Sequence, residues 1–363
     1  MSETPSEGSE TPAFQQTDFD RITQIVTAEF QIEENLVEQG IPTYYLKWPQ
    51  ETKQPFLRML RKLEEINMIA FLRKVDRRVV LRVGEKPPVK PSNPKIYWIL
   101  FVATIATTFV TGYFLLPPEA GLNPFVAGAV FSASIMTVLG LHEMGHKVTA
   151  NRKKVEATSP YFVPGPPPLG TLGAVIVQKS LPPNRDALFD IGSNGPIAGF
   201  IVALVFSVVG MTLLIPTTIP ASEQGLSLIP LSWIPLQEAL SRLHLVPALV
   251  GTNNGWFLHP VAWAGWAGMV VTMLNLLPAA MLDGGHVARS IVPDKLRYVL
   301  TIVSVATLLL AGSEFWVFAF IVIFMSTFRH PGPLDDVSGL SRSRKLVTIG
   351  LIAIFVLSFP IRI

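Results

Sequence analysis

Pro124-Phe-Val-Ala-Gly-Ala-Val-Phe-Ser-Ala-Ser-Ile-Met-Thr-Val-Leu-Gly-Leu-His142-Glu-Met-Gly-His146 is an unbroken apolar run that ends on two imidazoles and a carboxylate. From Pro124 to His142 a helix rises roughly 27 Å, close to the ~30 Å of a bilayer's hydrocarbon core. The run therefore reads as a membrane span. Positions i and i+4 share a helix face, so the imidazoles of His142 and His146 can reach one metal ion. The Glu143 carboxylate then falls near a metal-bound water. In lipid, such groups are strongly unfavourable without a partner, which makes a functional or metal-bound role the default reading.

Composition supports a membrane setting. Across 363 residues, hydrophobic side chains make up 49% and charged ones 15%, with mean hydropathy +0.43. Soluble domains carry about a quarter charged residues. The net charge of +3 gives no argument for nucleic acid, and the expected surroundings are a lipid bilayer. Cysteine is absent, which excludes disulfides and thiolate ligands, so any metal is held by nitrogen and oxygen.

Residues 1–16, rich in Ser, Thr, Glu and Pro, lack the basic-then-apolar layout of a secretory signal and read as a disordered tail. Residues 17–93 read as a small soluble α+β domain plus a proline-rich linker. Helical spacing runs from Phe19 to Gln39, a strand from Pro42 to Trp48, a helix from Pro55 to Ile66, and a hairpin from Ala70 to Val83 that turns near Asp76. Pro87, Pro88, Pro91 and Pro94 stiffen the linker.

Apolar blocks then place spans near 96–116, 124–146, 190–215, 260–282, 296–312, 314–328 and 346–360, the first four of crossing length. The fold class is thus a polytopic α-helical membrane protein of about six or seven spans. With the N terminus in the cytoplasm, Arg152, Lys153, Lys154 and the other loop cations fall inside, whereas outside loops carry only Arg242 before the terminal Arg362. That asymmetry puts the N-terminal domain in the cytosol. Between Lys154 and Asp186 the Pro/Gly-rich stretch from Pro160 and the short run Thr171-Leu-Gly-Ala-Val-Ile-Val cannot cross as a helix. It reads as a re-entrant β hairpin, with an ordinary cytoplasmic loop as the alternative.

A catalytic metal site takes a third protein ligand. Asn275-Leu-Leu-Pro-Ala-Ala-Met-Leu-Asp283-Gly-Gly-His286 ends the span that starts near Pro260, so Asp283 reaches the same depth as His142. Pro278 should interrupt the helix and Gly284-Gly285 should end it. His286 is a rival ligand. His244, His259 and His330 read as solvated loop residues.

His142-Glu-Met-Gly-His146 together with Asn275-Leu-Leu-Pro-Ala-Ala-Met-Leu-Asp283-Gly resembles the paired signature of the site-2 protease family of intramembrane metalloproteases. Gly170-Thr-Leu-Gly-Ala-Val-Ile is similar to the family's membrane-embedded β segment. Ser193-Asn-Gly-Pro-Ile-Ala-Gly199 is similar to its Gly-Pro motif. The resemblance covers residues 96 to about 290 and implies Zn2+ held by His142, His146 and Asp283, with Glu143 as general base and Asn275 assisting. It implies a substrate that is a membrane protein, cut within a transmembrane helix, and a C-terminal group of transmembrane segments over 291–363 beyond a catalytic core at 94–290. Leu172, Gly173, Ala174, Val175 and Ile176 would bind substrate as a strand edge, with Asn194, Gly195 and Pro196 beside them. No PDZ insertion is recognisable, an arrangement similar to plant-chloroplast and archaeal members. An ion or solute transporter and an inactive protease-like scaffold stand as alternatives.

Overall fold

The period of apolar residues changes along the chain from that of a small sheet to that of long apolar helices, and the computed structural model follows it. The described residues are 16–89, 91–217, 228–246, 255–328 and 330–362, so the expected tail at 1–16 lies outside them apart from Gln16. The chain divides into two compact units. One holds the N-terminal residues to Val89 together with Pro182–Arg185 and Pro333–Gly339, and the other holds the remainder.

The N-terminal unit runs α1 (Gln16–Thr27), β1 (Ile32–Glu38), β2 (Ile41–Leu46), α2 (Lys53–Glu64), β3 (Met68–Val75) and β4 (Arg78–Glu85). All pairings in its four-stranded sheet, ordered β1-β2-β4-β3, are antiparallel. The expected helix from Phe19 to Gln39 stops at Thr27, and Ile32–Glu38 is a strand instead. Pairing decides this. Gln39 and Gly40 both take positive φ (50° and 77°), the two-residue turn that folds β1 back on β2. Asp76 and Arg77 (47° and 69°) do the same between β3 and β4. In α2, Phe56, Met59 and Leu63 line one face and are buried with Ile22, Val26, Tyr44 and Leu81. The exposed edge of β3 is covered by chain from far away in sequence. Leu72 N–H donates to Leu334 O (2.9 Å) and accepts at its carbonyl from Asp336 N–H (3.1 Å), while Leu334 N–H donates to Pro182 O (2.8 Å).

The second unit is mostly helical. Among the described residues, three helices are long and apolar enough to cross a membrane: α3 (Pro94–Tyr113), α4 (Pro124–Arg152) and α5 (Arg185–Thr212). Between α4 and α5 lies an antiparallel hairpin, β5 (Tyr161–Pro164) and β6 (Thr171–Val175). The remaining elements are β7 (Ile215–Thr217), β8 (Leu228–Pro230), α6 (Trp233–Arg242), β9 (Gly255–Phe257), α7 (Pro260–Leu276), α8 (Asp283–Ile291), α9 (Asp294–Ala311), α10 (Trp316–Ser326), α11 (Arg342–Ser358) and β10 (Pro360–Arg362).

Three expectations change here. The span expected to end at 146 continues helical to Arg152, and the expected fourth long span is 17-residue α7. A turn follows α7, and Asp283 opens a new helix rather than closing the old one, with Gly284 and Gly285 inside its first turn. The reason is close approach, since a Cβ on Gly284 would lie 2.1 Å from Leu276 O. Packing among these helices uses small and hydroxyl side chains, because lipid tails are as apolar as leucine. Thr108 Oγ1 and Ser132 Oγ share a hydrogen bond (2.8 Å) between α3 and α4, and Trp233 Nε1–H donates to Ser207 Oγ on α5 (3.1 Å).

Candidate metal centre

The i, i+4 spacing on α4 places His142 and His146 one turn apart on its buried face, ten and six residues before the helix ends at Arg152. Asp283 arrives from the first turn of α8. His142 Nε2, His146 Nε2 and Asp283 Oδ2 form a triangle with every side 3.2 Å. These three, among the described residues, make up a group fit to hold a metal ion. Ligands on a tetrahedral ion with bonds of about 2.0 Å stand about 3.3 Å apart, so the donor set and its spacing fit a divalent cation. Two imidazole nitrogens and a carboxylate oxygen converging away from solvent call for positive charge between them. Glu143 Oε1 lies 4.0 Å from His142 Nε2 and Asn275 Nδ2 lies 3.4 Å from it.

His146 Nδ1–H donates to Ile191 O (2.7 Å), which leaves the Nε2 lone pair free for a metal. Ile191 follows Asp190, whose carboxylate is gripped by both arms of Arg344 (2.7 and 2.6 Å) and by Lys153 (2.7 Å). Nothing in the pattern of apolar residues marks this support, because its members lie on α4, α5 and α11, far apart in sequence.

The Gly-Pro segment of α5 has a packing place rather than a place in the cavity. A Cβ on Gly195 would sit 2.0 Å from His146 Nε2, and one on Gly199 would sit 2.6 Å from His142 Nδ1. Glycine there lets α5 pass against both imidazoles. Pro196 is buried within the helix, and Asn194 Nδ2–H donates to Thr149 Oγ1 on α4 (2.9 Å).

Glu143, His146, Asn275 and Asp283 open on one cavity of about 590 Å3. Leu172, Gly173, Ala174, Val175 and Ile176 line the same cavity, joined by apolar residues of α7 and α10. His286 also lines it, but its Nδ1 is engaged with His330 Nε2 at 2.7 Å. His330 is therefore not the solvated loop residue expected. His259 accepts from Val261 N–H at the start of α7 (3.3 Å), so it is a cap, whereas His244 is exposed.

Residues 130–311, half of the chain, match the model of Peptidase family M50. The chain belongs to this family. A rice protein (Oryza sativa subsp. japonica) named probable zinc metalloprotease EGY1, chloroplastic, is 34% identical over 47% of this chain and 29% of its own length. Its Arabidopsis thaliana namesake is 32% identical over 56% of this chain and 41% of its own length. The Arabidopsis protein named probable zinc metalloprotease EGY2, chloroplastic, is 31% identical over 64% and 41%. The chain thus spans less than half the length of the curated relatives it matches. No solved structure matches it. The family region contains α7, α8 and α9 and most of α4, so both halves of the His/His/Asp group fall within it.

Proposed function

We propose that this chain is a zinc-dependent endopeptidase that cuts other membrane proteins within their membrane-embedded segments. One observation carries the reading. His146 and Asp283 of the His142–His146–Asp283 triangle line the same cavity as the Glu143 carboxylate and the β6 strand. Relatives in the family are named as zinc metalloproteases, which favours zinc over other divalent ions for this donor set.

His142, His146 and Asp283 would hold the ion. Bound there, zinc supplies Lewis acidity and an acidified water at neutral pH. Glu143 takes the proton from the attacking water and delivers it to the leaving nitrogen. Asn275, beside His142, donates to the carbonyl oxygen as charge develops on it. Residues 172–176 of the hairpin hold the unwound substrate by strand addition, because a helix hides its peptide groups in internal hydrogen bonds. Ion conduction would require neither a carboxylate beside a three-ligand centre nor a strand in its wall.

The membrane arrangement is part of the proposal. Six or seven crossings follow from the apolar blocks, and an N terminus on the cytoplasmic or stromal side follows from the loop cations. Residues 17–93 are then a soluble domain with its linker, 94–290 the catalytic core and 291–363 the C-terminal segments. The hairpin is read as re-entrant because its tip meets α3 far from that helix's start. Thr107 Oγ1 donates to Gly170 O (2.7 Å), about 20 Å along α3 from Pro94.

The test is zinc per purified chain together with cleavage of a peptide carrying an apolar segment of about 20 residues. The parent should hold about one zinc and cut. His142→Ala, His146→Ala and Asp283→Ala should each lose the metal and the activity, while Glu143→Gln should keep zinc and cut at least about a hundredfold more slowly. Parent-like cleavage by Glu143→Gln, or full zinc occupancy in Asp283→Ala, would overturn the assignment.

A further inference from the structure

His286 does not join the metal group, yet it lines the cavity three residues after Asp283. Its surroundings fix where its proton sits. Gly332 N–H donates to His330 Nδ1 (3.0 Å), so that nitrogen is an acceptor. A neutral His330 then carries its proton on Nε2, which faces His286 Nδ1 at 2.7 Å. His330 Nε2–H donates across that contact, His286 Nδ1 accepts, and the remaining proton of His286 belongs on Nε2. Among the described residues, His286 Nε2 makes no hydrogen bond. Burial disfavours the charged form of both rings and outweighs the Asp283 charge that favours protonation of His286, while Arg297 opposes protonation of each.

We propose that His286 is a donor to the substrate in the cleavage cavity, with its Nε2–H presented to a backbone carbonyl by the Gly332–His330–His286 chain of hydrogen bonds. This rests on the protease reading above and adds to it a substrate contact that is not a metal ligand. The donor stays neutral, so it adds no charge to an apolar cavity. Its direction is imposed from outside the motif that contains it, because a lone imidazole would exchange freely between two tautomers. The natural occupant is a peptide carbonyl released when a transmembrane helix unwinds, since an unwound segment in an apolar cavity needs partners for its backbone.

Two substitutions separate the donor from mere packing. In His286→Asn, the amide oxygen can still accept from His330, but no N–H reaches the Nε2 position. In His286→Gln, an N–H is returned near that position. With the full chain and the apolar peptide above, kcat/KM should fall about ten- to a hundredfold in His286→Asn at unchanged zinc content and be largely recovered in His286→Gln. Side-chain 15N spectra of the zinc-loaded Glu143→Gln chain should show His286 protonated on Nε2 and not on Nδ1. Adding the uncut peptide should move that resonance.

Parent-like kcat/KM in His286→Asn, loss of zinc from it, a proton on Nδ1, or an Nε2 signal indifferent to the peptide would each overturn the proposal. Failure of the protease reading looks different. His142→Ala and Glu143→Gln would then behave as the parent does toward the peptide, whatever His286 does.

Discussion

At the scale of single residues, the tightest constraint on the centre comes from atoms that glycine lacks. Gly195 presents its Cα to the ring of His146, and any Cβ there would occupy the space of the nitrogen that faces the metal position. Gly195→Ala must push His146 away or part α5 from α4. Overpacking of this kind costs about 1–3 kcal/mol, and the imidazole is the movable partner. The expected outcome is a chain that keeps its helical circular dichroism and binds zinc at least about tenfold more weakly, read by metal content against a competing chelator. Parent-like zinc affinity in that variant would show that α5 does not set the position of His146. Glycine was visible in the sequence as part of a recognisable segment, but its task was not. From sequence the segment reads as a substrate contact, and two of its glycines pack against the two imidazoles.

At the scale of elements, the hairpin and the broken α7–α8 connection do most to shape the cavity. α7 stops at Leu276, a turn follows, and α8 starts at Asp283, so the carboxylate is delivered by a helix start rather than by a helix end. The expected break at Pro278 falls inside this turn. β6 brings Leu172 to the cavity with 55% of its surface still exposed. An exposed leucine on the cavity of the proposed metal centre is suited to an apolar partner, whose burial against it is worth about 1.5–3 kcal/mol. Leu172→Asp should therefore lower kcat/KM for the apolar peptide by about tenfold or more and leave zinc content unchanged. If the peptide is cut as well as by the parent, strand capture at β6 is wrong even though the metal centre stands.

At the scale of the whole molecule, the N-terminal unit has its own core and its own electrostatics. Glu29, after α1, accepts from Arg58 Nε (2.8 Å) and Lys62 Nζ (3.1 Å) of α2. Burial alone would raise its pKa, but the hydrogen bonds and charges of the two cations outweigh that and hold it below the ordinary 4.5. A lowered folded pKa means that the stabilisation is complete above 4.5 and is lost as pH falls through the folded value. Amide protection factors in α1 and α2 of the full chain, taken relative to the intrinsic exchange rate at each pH, should fall on acidification below that point. Glu29→Gln should already exchange faster at pH 7, by up to about fivefold, the ceiling for a pair that keeps access to water. Acid sensitivity unchanged by Glu29→Gln would assign it to other carboxylates.

What could be read from the sequence alone was whatever depends on short-range spacing and on solvent. Apolar runs of crossing length, the i, i+4 histidines around Glu143 and the α+β character of the N-terminal segment are local, and a bilayer leaves few alternatives for such runs. Asp283 was also legible, because depth along two spans is a count of residues. Tertiary structure decided the rest. Ile32–Glu38 became a strand because β2 was there to pair with it. Leu334 and Asp336 closed the edge of β3 from more than 250 residues away. His330 met His286 rather than water, and Arg344 steadied the carboxylate next to the carbonyl that holds His146. Hydrogen bonds and steric limits between distant segments leave no period in a sequence, since each is satisfied only once the helices have been brought together.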